Sequence, residues 1–421
     1  MRITNSMIYG NSMNNIWKNA RHLNKLVTQI ETGKKIQRPS DDPLISSRAL
    51  RYRTILAEAE QFLRNASQGM AWMEVSEAAF NSVLTGNAIE PSSMQRINEL
   101  LVYGATGTNE LADQLAILAE MRQLFDQMFG VDMNQTYLGR YVFSGFHTNQ
   151  PPVLKSDLRE RSFLIEQNFL PSDIEKTRAF HRPNETSLPQ DIRGVNIIKL
   201  PYTEANFDFA SAGITLADGT PVFVVPIDSF SENAYRPDSF FDGMPVIHHI
   251  YNTGELVMSD EVRELIENAG GLNVSYEKNN LKAGELNPMI YFSCAEIIDG
   301  VPARRYDTAG QNIQMEISSN AYITTNSHAR DILTANFFSD LRRLFDFADS
   351  LQLSDPAQIE EYFMSQHGYT ADRLEEYKLR FLSEEKQLFA AAMHDRMNNM
   401  LKAFDAHFAQ TQREHTNLGT R

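Results

Sequence analysis

The sequence predicts an α+β protein in which helices from both chain ends form an elongated antiparallel rod, with a mostly β outer domain inserted between them. Apolar residues recur at helical spacing early and late in the chain, and short apolar runs with turn residues fill the middle. A chain of 421 residues is too long for one ordinary core. We therefore expect a coiled-coil assembly segment (1–44), the N-terminal half of the rod (45–150), the inserted domain (151–320) and the C-terminal half of the rod (321–421).

The first segment carries apolar residues at alternating steps of four and three, the spacing of a coiled-coil seam. The seam consists of Tyr9, Met13, Ile16, Ala20, Leu23, Val27 and Ile30. Because a seam buries its side chains only against a partner helix, the segment alone is expected to be disordered or loosely helical. Gly33 is expected to end it.

A second helix is expected to begin at Pro43. Asp42 suits the N-cap position, and proline costs nothing at the first helical position, where the N–H has no partner anyway. The three-four spacing then runs from Ala49 to Leu84 and includes Leu63. We expect a long helix with this face buried, so that an aspartate at Leu63 would disrupt folding.

The pattern stops and restarts twice before residue 130. Gly86 and Pro91 interrupt it, and helical spacing returns over Met94–Tyr103. After Gly104 and Gly107, a broad apolar stripe from Leu111 to Phe129 predicts a helix with more than one packed neighbour.

Short apolar runs separated by turn residues predict three hairpins in the inserted domain. They join Ile214–Leu216 to Val222–Val225, Val246–Tyr251 to Leu256–Met258, and Met289–Ile298 to a strand that begins at Val301. A capped helix is expected over Asp260–Ala269.

Helix is expected to return after a last strand, Gln311–Ile317. A helical stripe from Leu333 to Leu351 precedes a boundary at Pro356, and the final helix carries methionine and phenylalanine residues from Leu374 to Phe408. Such a stripe is more often core than a ligand-binding surface.

The composition argues against a nucleic-acid partner. The chain has 39 Lys+Arg against 54 Asp+Glu, a formal charge of -15. The N-terminus lacks the continuous apolar run of a secretory signal and no segment has the length of a membrane span, so we expect a soluble protein without a cleaved signal peptide. The single cysteine, Cys294, is expected to be a small buried side chain.

No catalytic, metal or cofactor site is predicted. His248 and His249 are adjacent, and in a strand they would point to opposite faces and could not chelate one ion. The Gly104–Gly107 segment follows a helical pattern where a phosphate loop would follow a strand. We therefore expect a protein that is not an enzyme.

Short segments near both chain ends resemble the flagellin superfamily. They are Met1–Asn5, Thr32–Ile36, Arg38–Pro43, Gly139–Gly145 and the final Glu414–Arg421. Within that superfamily, the Arg-Pro-Ser-Asp-Asp-Pro run and the Gly-Arg-Tyr-Val-Phe-Ser-Gly run are most similar to the hook-associated proteins of the hook-to-filament junction.

The resemblance implies a structural protein of the bacterial flagellum, located outside the cell and exported unfolded through the organelle's own channel. The implied partners are copies of itself in a ring, other hook-associated proteins, flagellin, an export chaperone and the export apparatus, with neither nucleic acid nor membrane. The assembly interface is expected to involve Tyr9, Met13, Ile16, Leu23, Val27, Ile30, Arg38, Pro39, Asp41, Asp42 and Pro43.

Two other functions stay open. The chain could be flagellin itself, because Met94–Tyr103 resembles a stretch of that protein, although flagellin usually has Asp-Asp-Ala-Ala-Gly where this chain has Asp-Asp-Pro-Leu-Ile. It could also be a secreted coiled-coil adhesin or interaction protein. In the superfamily a Leu-Gly-x-Arg segment opens the helix that pairs with the N-terminal one, and this chain stops at Leu418–Arg421. Either a terminal helix is missing by truncation, which we expect, or the N-terminal helix pairs with another subunit.

Overall fold

The computed structural model describes residues 5–36, 38–40, 42–86, 91–106, 109–181, 191–207, 212–229, 231, 233–351 and 371–420. The chain forms two compact units. The first consists of Met1–Gln68 with Glu316–Tyr322, and the second of Gly69–Met315 with Ile323–Arg421. Helices at both ends of the chain and a mostly β middle confirm the α+β class.

The first unit is built on helix α1 (Asn5–Thr32) and the beginning of helix α2 (Pro43–Phe80). Gly33 follows α1 at a φ of +63°, the left-handed conformation that glycine adopts without steric cost. This confirms the predicted helix stop. In the structure α1 is a continuous helix over Asn5–Thr32, and the expectation that this helix is only loosely formed in the isolated monomer stays a prediction.

The start of α2 confirms the predicted cap. Asp42 Oδ1 accepts hydrogen bonds from the backbone N–H groups of Leu44 and Ile45, both at 3.1 Å. Pro43 is the first helical residue. The side chain therefore satisfies two of the donors that a helix start leaves unpaired.

The expectation that the whole apolar face of α2 is buried is wrong. Leu63 is 71% exposed, and Tyr52, Leu56 and Met70 are also exposed, whereas Phe80 is buried. The spacing correctly places these residues along a helix, but it does not say which turns of that helix have neighbours within the chain.

Four helical segments follow in the second unit. They are a π-helical stretch Asn81–Thr85, helix α3 (Ser93–Gly104), helix α4 (Leu111–Phe125) and a second π-helical stretch Asp126–Asp132. Ser92 and Gln95 form a reciprocal capping box at the start of α3. The buried core of this unit includes Ile97, Leu101 and Met121.

The middle of the chain forms one large sheet and two small ones. The strands are β1 (Thr136–Tyr137), β2 (Arg140–Tyr141), β3 (Ser162–Phe169), β4 (Glu175–His181), β5 (Asp191–Lys199), β6 (Gly213–Leu216), β7 (Pro221–Ile227), β8 (Phe240–Phe241), β9 (Met244–Ile250), β10 (Glu255–Met258), β11 (Leu272–Lys278), β12 (Ser293–Ile298), β13 (Val301–Tyr306), β14 (Gln314–Ser318) and β15 (Ala321–Thr324). The large sheet has the order β13-β12-β3-β11-β6-β7-β9-β10-β5-β4, with β8 on β9. Its pairs are antiparallel except β7 with β9, which is parallel.

The three predicted hairpins are present as β6–β7, β9–β10 and β12–β13. One boundary is wrong, because Pro288–Tyr291 is a short helix, α6, and the strand starts only at Ser293. Asn287 Oδ1 accepts the N–H of Met289 at 3.3 Å, and Pro288 occupies the first helical position. These cap contacts start a helical turn where apolar content alone suggested a strand.

Helix α5 (Asp260–Ala269) has the predicted bounds, with Ser259 accepting from the N–H of Val262 and Gly270 in the left-handed conformation. Helices α7 (Ala329–Ile332), α8 (Ala335–Ser350) and α9 (Ala371–Gly419) complete the fold. The central part of the predicted methionine and phenylalanine stripe of α9 is buried, from Phe389 to Phe404, whereas Phe381 and Phe408 at its ends are half-buried. Pro356 and the side chain of Leu374 lie outside the described residues.

Cys294 is buried on β12, and its burial raises the pKa of the thiol to about 12. The thiol therefore behaves as an inert apolar group, as expected. None of the helices in the described ranges combines the length and the apolar character needed to cross a membrane.

Candidate assembly surface

The first unit exposes an unusual number of large apolar side chains. On α1 they are Met7, Ile8, Tyr9, Met13, Ile16, Trp17, Leu23, Leu26, Val27 and Ile30, and on α2 they are Leu44, Ile45, Leu50, Tyr52, Ile55, Leu56 and Leu63. We call this set the N-terminal apolar face. Single exposed apolar residues need no explanation, but so many on one small unit are typical of a surface that is covered in an assembly.

The seam predicted from the sequence lies on one side of α1. Tyr9, Met13 and Ile16 lie one turn apart, and Leu23, Val27 and Ile30 repeat the spacing further along. With a rise of about 1.5 Å per residue, the distance from Tyr9 to Ile30 is about 30 Å. Ile30 is 81% exposed, so this side of α1 is open to a partner.

The turn between α1 and α2 is held by contacts within the first unit. Gln29 Nε2 donates to the carbonyl of Lys35 at 2.6 Å, and Asp42 caps α2. Arg38 and Pro39 are exposed, and Pro43 begins α2, also exposed. Asp41 lies outside the described residues. The structure thus gives Asp42 a role in forming the helix, whereas Arg38 and Pro39 present side chains at the surface.

The first segment is basic in an acidic protein, a feature of the sequence that the spacing of its apolar residues does not reveal. Residues 1–40 hold seven Lys and Arg and one acidic residue, Glu31, within a chain of formal charge -15. On α1 the basic residues are Lys18, Arg21 and Lys25. A basic, apolar helix is complementary to an acidic, apolar partner surface.

The Tyr141–Gly145 part of the family-like run is buried and joins parts of the second unit. Val142, Phe143 and Ser144 are buried, and the Ser144 hydroxyl donates to the carbonyl of Gln150 at 2.6 Å. Gly145 has a φ of +58°, and any Cβ there would collide with the side chain of Gln311. These residues therefore fix the exit from the helical part of the chain into the sheet.

The adjacent histidines form no metal site. Both lie in β9, where successive side chains face opposite sides of the sheet. The Nδ1 of His248 lies 3.3 Å from the carbonyl of Ala234, while His249 packs edge-on against Phe207 and burial lowers its pKa to about 4. Among the described residues, no group of three metal-binding side chains comes together.

Comparison with known proteins finds relatives for the N-terminal third of the chain. Residues 3–148 match the family model described as bacterial flagellin N-terminal helical region, which confirms the resemblance seen in the sequence. Flagellar hook-associated protein 3 of Salmonella typhimurium is 27% identical over 152 residues, which are 36% of this chain and 46% of that protein. Flagellin of Salmonella muenchen is 25% identical over 187 residues, covering 43% of this chain and 35% of that protein.

A solved structure of the flagellar junction protein FlgL from Legionella pneumophila aligns over 90% of this chain and 100% of that chain. The sequence identity is 12% and the TM-score is 0.29, too low to establish a shared fold. The chain spans about half the length of the hook-associated relative that it matches.

Proposed function

We propose that this protein is a structural component of the bacterial flagellum that forms the junction between hook and filament, on which flagellin polymerises. The N-terminal apolar face carries this proposal. It lies within the segment that matches the flagellin N-terminal family, and it leaves an apolar seam open along α1. An exposed seam of this length is stable only when another helix covers it.

The proposed assembly is a helical rod and coiled coil in which α1 packs against an acidic helix of a neighbouring copy or of another flagellar component. Lys18, Arg21 and Lys25 provide the complementary charge, and the apolar seam provides most of the burial. In the assembled organelle the sheet domain faces outward. The partners are copies of this protein in a ring, other hook-associated proteins, flagellin, an export chaperone and the export apparatus.

Two features favour a junction protein over a filament subunit. The hook-associated relative is 27% identical over its matched residues, against 25% for the flagellin. Pro43 also stands where flagellin usually has alanine, at the end of a turn whose Arg38 and Pro39 are exposed. A turn that differs from that of flagellin would make addition of a second copy less favourable than addition of flagellin, and so keep the junction thin.

Deletion of the gene in the bacterium tests the function. Cells should keep their hooks, release flagellin into the medium and lack attached filaments. Filaments of normal length, or loss of the hooks as well, would reject the junction function. Long filaments formed by the purified protein alone would instead support flagellin, the second candidate.

Complementation of the deletion tests the apolar face itself. Leu23→Asp places a charge in the seam and should fail to restore filaments. Asn24→Asp adds the same charge at the next position on α1, outside the seam, and should restore them. If both variants restore filaments equally, the seam on α1 is not the assembly contact.

A further inference from the structure

Helix α2 carries a coiled-coil seam of its own, separate from the seam on α1. Between residues 45 and 66, apolar and aromatic residues recur at alternating steps of four and three over three heptads. They are Ile45, Ala49, Tyr52, Leu56, Ala59, Leu63 and Ala66, and we call this set the α2 seam. In heptad terms Ala49, Leu56 and Leu63 occupy a positions, and the other four residues occupy d positions.

The large side chains of the α2 seam are open to solvent. Leu63 is 71% exposed, Tyr52 70% and Leu56 60%. The hairpin of β14 and β15 contacts α2 from the other side, where Asn65 Nδ2 donates to the carbonyl of Glu316 at 2.8 Å. Asn65 lies opposite Leu56 around the helix, so this contact leaves the seam uncovered. An exposed seam of three heptads is typical of a helix that pairs with another helix.

The charges beside the seam have no partner in the first unit. With Leu56 at a, Arg48 occupies a g position, and Arg53 and Glu60 occupy e positions. Within the described ranges none of these three side chains forms an ion pair. Charges at e and g positions decide which helix a seam pairs with and in which orientation.

Parallel pairing of two α2 helices brings like charges together. In a parallel coiled coil, a g residue faces the e residue five positions later on the other helix. Arg48 would therefore face the partner's Arg53, and the symmetry of the pair would repeat this contact. Two repulsive contacts at the edges of so short a seam disfavour the parallel arrangement.

Antiparallel pairing matches the seam residues of two copies. In this arrangement an a residue faces a d residue of the other helix. The register that places Leu56 opposite the partner's Ala59 also places Tyr52 opposite Leu63 and Ala49 opposite Ala66. Each of these contacts occurs twice by symmetry, and none contains a charged residue. The small alanines let the two helices approach closely where the large residues of the other copy need room.

The same register also pairs the charges. In an antiparallel pair the e positions of the two helices lie side by side, so Arg53 faces the partner's Glu60, and Glu60 faces the partner's Arg53. The g positions place Ile55, which is 49% exposed, beside the partner's Phe62. The α2 seam is therefore complementary to itself in the antiparallel orientation, in its apolar residues and in its charges.

We propose that two copies of this chain associate through their α2 seams as an antiparallel coiled coil. The contact uses α2 and leaves the seam of α1 open, so it does not depend on the proposed function. Because three heptads are short, the dimer should dissociate on dilution.

Sedimentation equilibrium of the purified full chain over a series of concentrations tests the dimer. A monomer–dimer equilibrium is expected, and Leu56→Asp at the centre of the seam should weaken it at least about tenfold, since it would bury a charge in the contact. Thr54→Asp adds the same charge at an exposed position on the far side of α2 and should dimerise as the original chain does. Both positions are exposed in the monomer, so circular dichroism should show an unchanged fold.

Charge exchange at the e positions tests the orientation. Arg53→Glu and Glu60→Arg should each weaken the dimer about tenfold, because each turns two attractive contacts into repulsive ones. The double variant should restore dimerisation to within about threefold of the original chain, because opposite charges face each other again. A parallel pair would instead be strengthened by Arg53→Glu, since Arg48 would then face a carboxylate.

Three results would overturn the proposal. They are a chain that stays monomeric at every concentration, equal dimerisation of Leu56→Asp and Thr54→Asp, and failure of the double charge exchange to restore what each single exchange loses. A dimer that is lost in Leu23→Asp but kept in Leu56→Asp would assign the contact to the seam of α1 and would likewise reject the α2 seam.

Discussion

The backbone carbonyl of Phe143 accepts a hydrogen bond from the N–H of Ala329 at 3.0 Å, and both residues are fully buried. This bond ties the segment that leaves the helical part of the chain to the segment that returns from the sheet. The neighbouring residues are packed accordingly, with the ring of Phe143 edge-on to Phe80 at 6.2 Å. Substitutions here should therefore affect stability more than surface properties.

Gly145→Ala should destabilise the protein by about 2 kcal/mol or more. The residue has a positive φ, and a Cβ would meet Gln311 and also approach His328 Nδ1 at 3.2 Å. Gly139→Ala is the matched control, since Gly139 has a φ of +75° but no atom within 4 Å of a built Cβ. Gly139→Ala should lower the free energy of unfolding by only about 1 kcal/mol, the cost of placing alanine at a positive φ. Urea denaturation of both variants measures the difference, and equal losses would mean that packing at Gly145 is loose.

Leu63→Asp should leave the thermal melting of the monomer nearly unchanged, within about 0.5 kcal/mol, because the side chain is largely exposed. Leu101→Asp, at a fully buried position of α3, should cost about 3 kcal/mol or more. If Leu63→Asp lowers the melting temperature as much as Leu101→Asp does, the face of α2 is buried in solution. Failure of Leu63→Asp to support filaments in cells, with normal melting, would assign this face to assembly.

Asp42→Ala should cost about 1 kcal/mol, because it removes the side-chain acceptor for the Leu44 and Ile45 N–H groups. Asp42→Asn retains an acceptor oxygen and should restore most of the loss. Amide hydrogen exchange at Leu44 and Ile45 measures the effect locally. Exchange that is unchanged in Asp42→Ala would show that the cap is not formed in solution.

The contribution of Asp132 to stability should fall as the pH rises from about 4 to about 6, while buried His249, with its pKa lowered to about 4, contributes in the opposite direction over the same range. Burial raises the pKa of its carboxyl from 3.8 to about 6, against hydrogen bonds from Ser82 and Gln127 that lower it. A raised carboxyl pKa means that the folded state binds the proton more tightly, so this contribution is full below about pH 4 and lost above about pH 6. The difference amounts to at most about 3 kcal/mol.

Asp132→Asn removes the Asp132 contribution, so its stability relative to the original chain should increase between about pH 4 and pH 6, and it should be at least as stable as the original chain at pH 7, since it buries no charge. Asp113→Asn, at an exposed position of α4, is the control and should leave the profile unchanged. Guanidinium denaturation at a series of pH values makes the comparison. A profile that stays the same in Asp132→Asn would place the titration on another group.

Amides of α1 should exchange faster with solvent than those of α3 in the isolated monomer. The side chains of α1 are exposed almost throughout, whereas α3 buries Met94, Ile97 and Leu101. Helices that lack tertiary packing open readily. Equal protection between Ile16 and Ile30 and within α3 would reveal a partner for α1 in solution.

Local signals were enough to predict elements whose ends are set by side chains close in sequence. Helix α5 has the predicted bounds because Ser259 and Gly270 cap it, and Asp42 fixes the start of α2 in the same way. Strand β11 was missed, although the alternating burial of Leu272–Lys278 matches the two-residue period of a strand. Its run is short and ends in the charged residues Glu277 and Lys278, so it lacks the continuous apolar content on which the other strand predictions depend.

What depends on distant parts of the chain could not be predicted. Spacing placed Leu63 and Phe80 on one helix, but only the folded chain shows that one is exposed and the other buried. The environment of Arg396 likewise depends on Arg343 and Phe347, which lie on another helix and have no sequence relation to it. The spacing of apolar residues predicted the seam of α1, whereas the basic character of the helix follows from its charge balance and not from that spacing.

The strand order of the large sheet has a kinetic consequence. Strand β3 (Ser162–Phe169) lies between β12 and β11, so its neighbours are made more than a hundred residues later, as in the pairing of Glu166 with Ser293. Contacts between such distant residues must overcome a large loss of chain entropy before they stabilise anything, and domains built on them fold slowly. We expect the helices of the second unit to form first and the sheet to close last. During that interval the sheet is still open, and under the proposed function, in which the chain is exported, slow closure of the sheet would prolong the time in which an unfolded chain can pass.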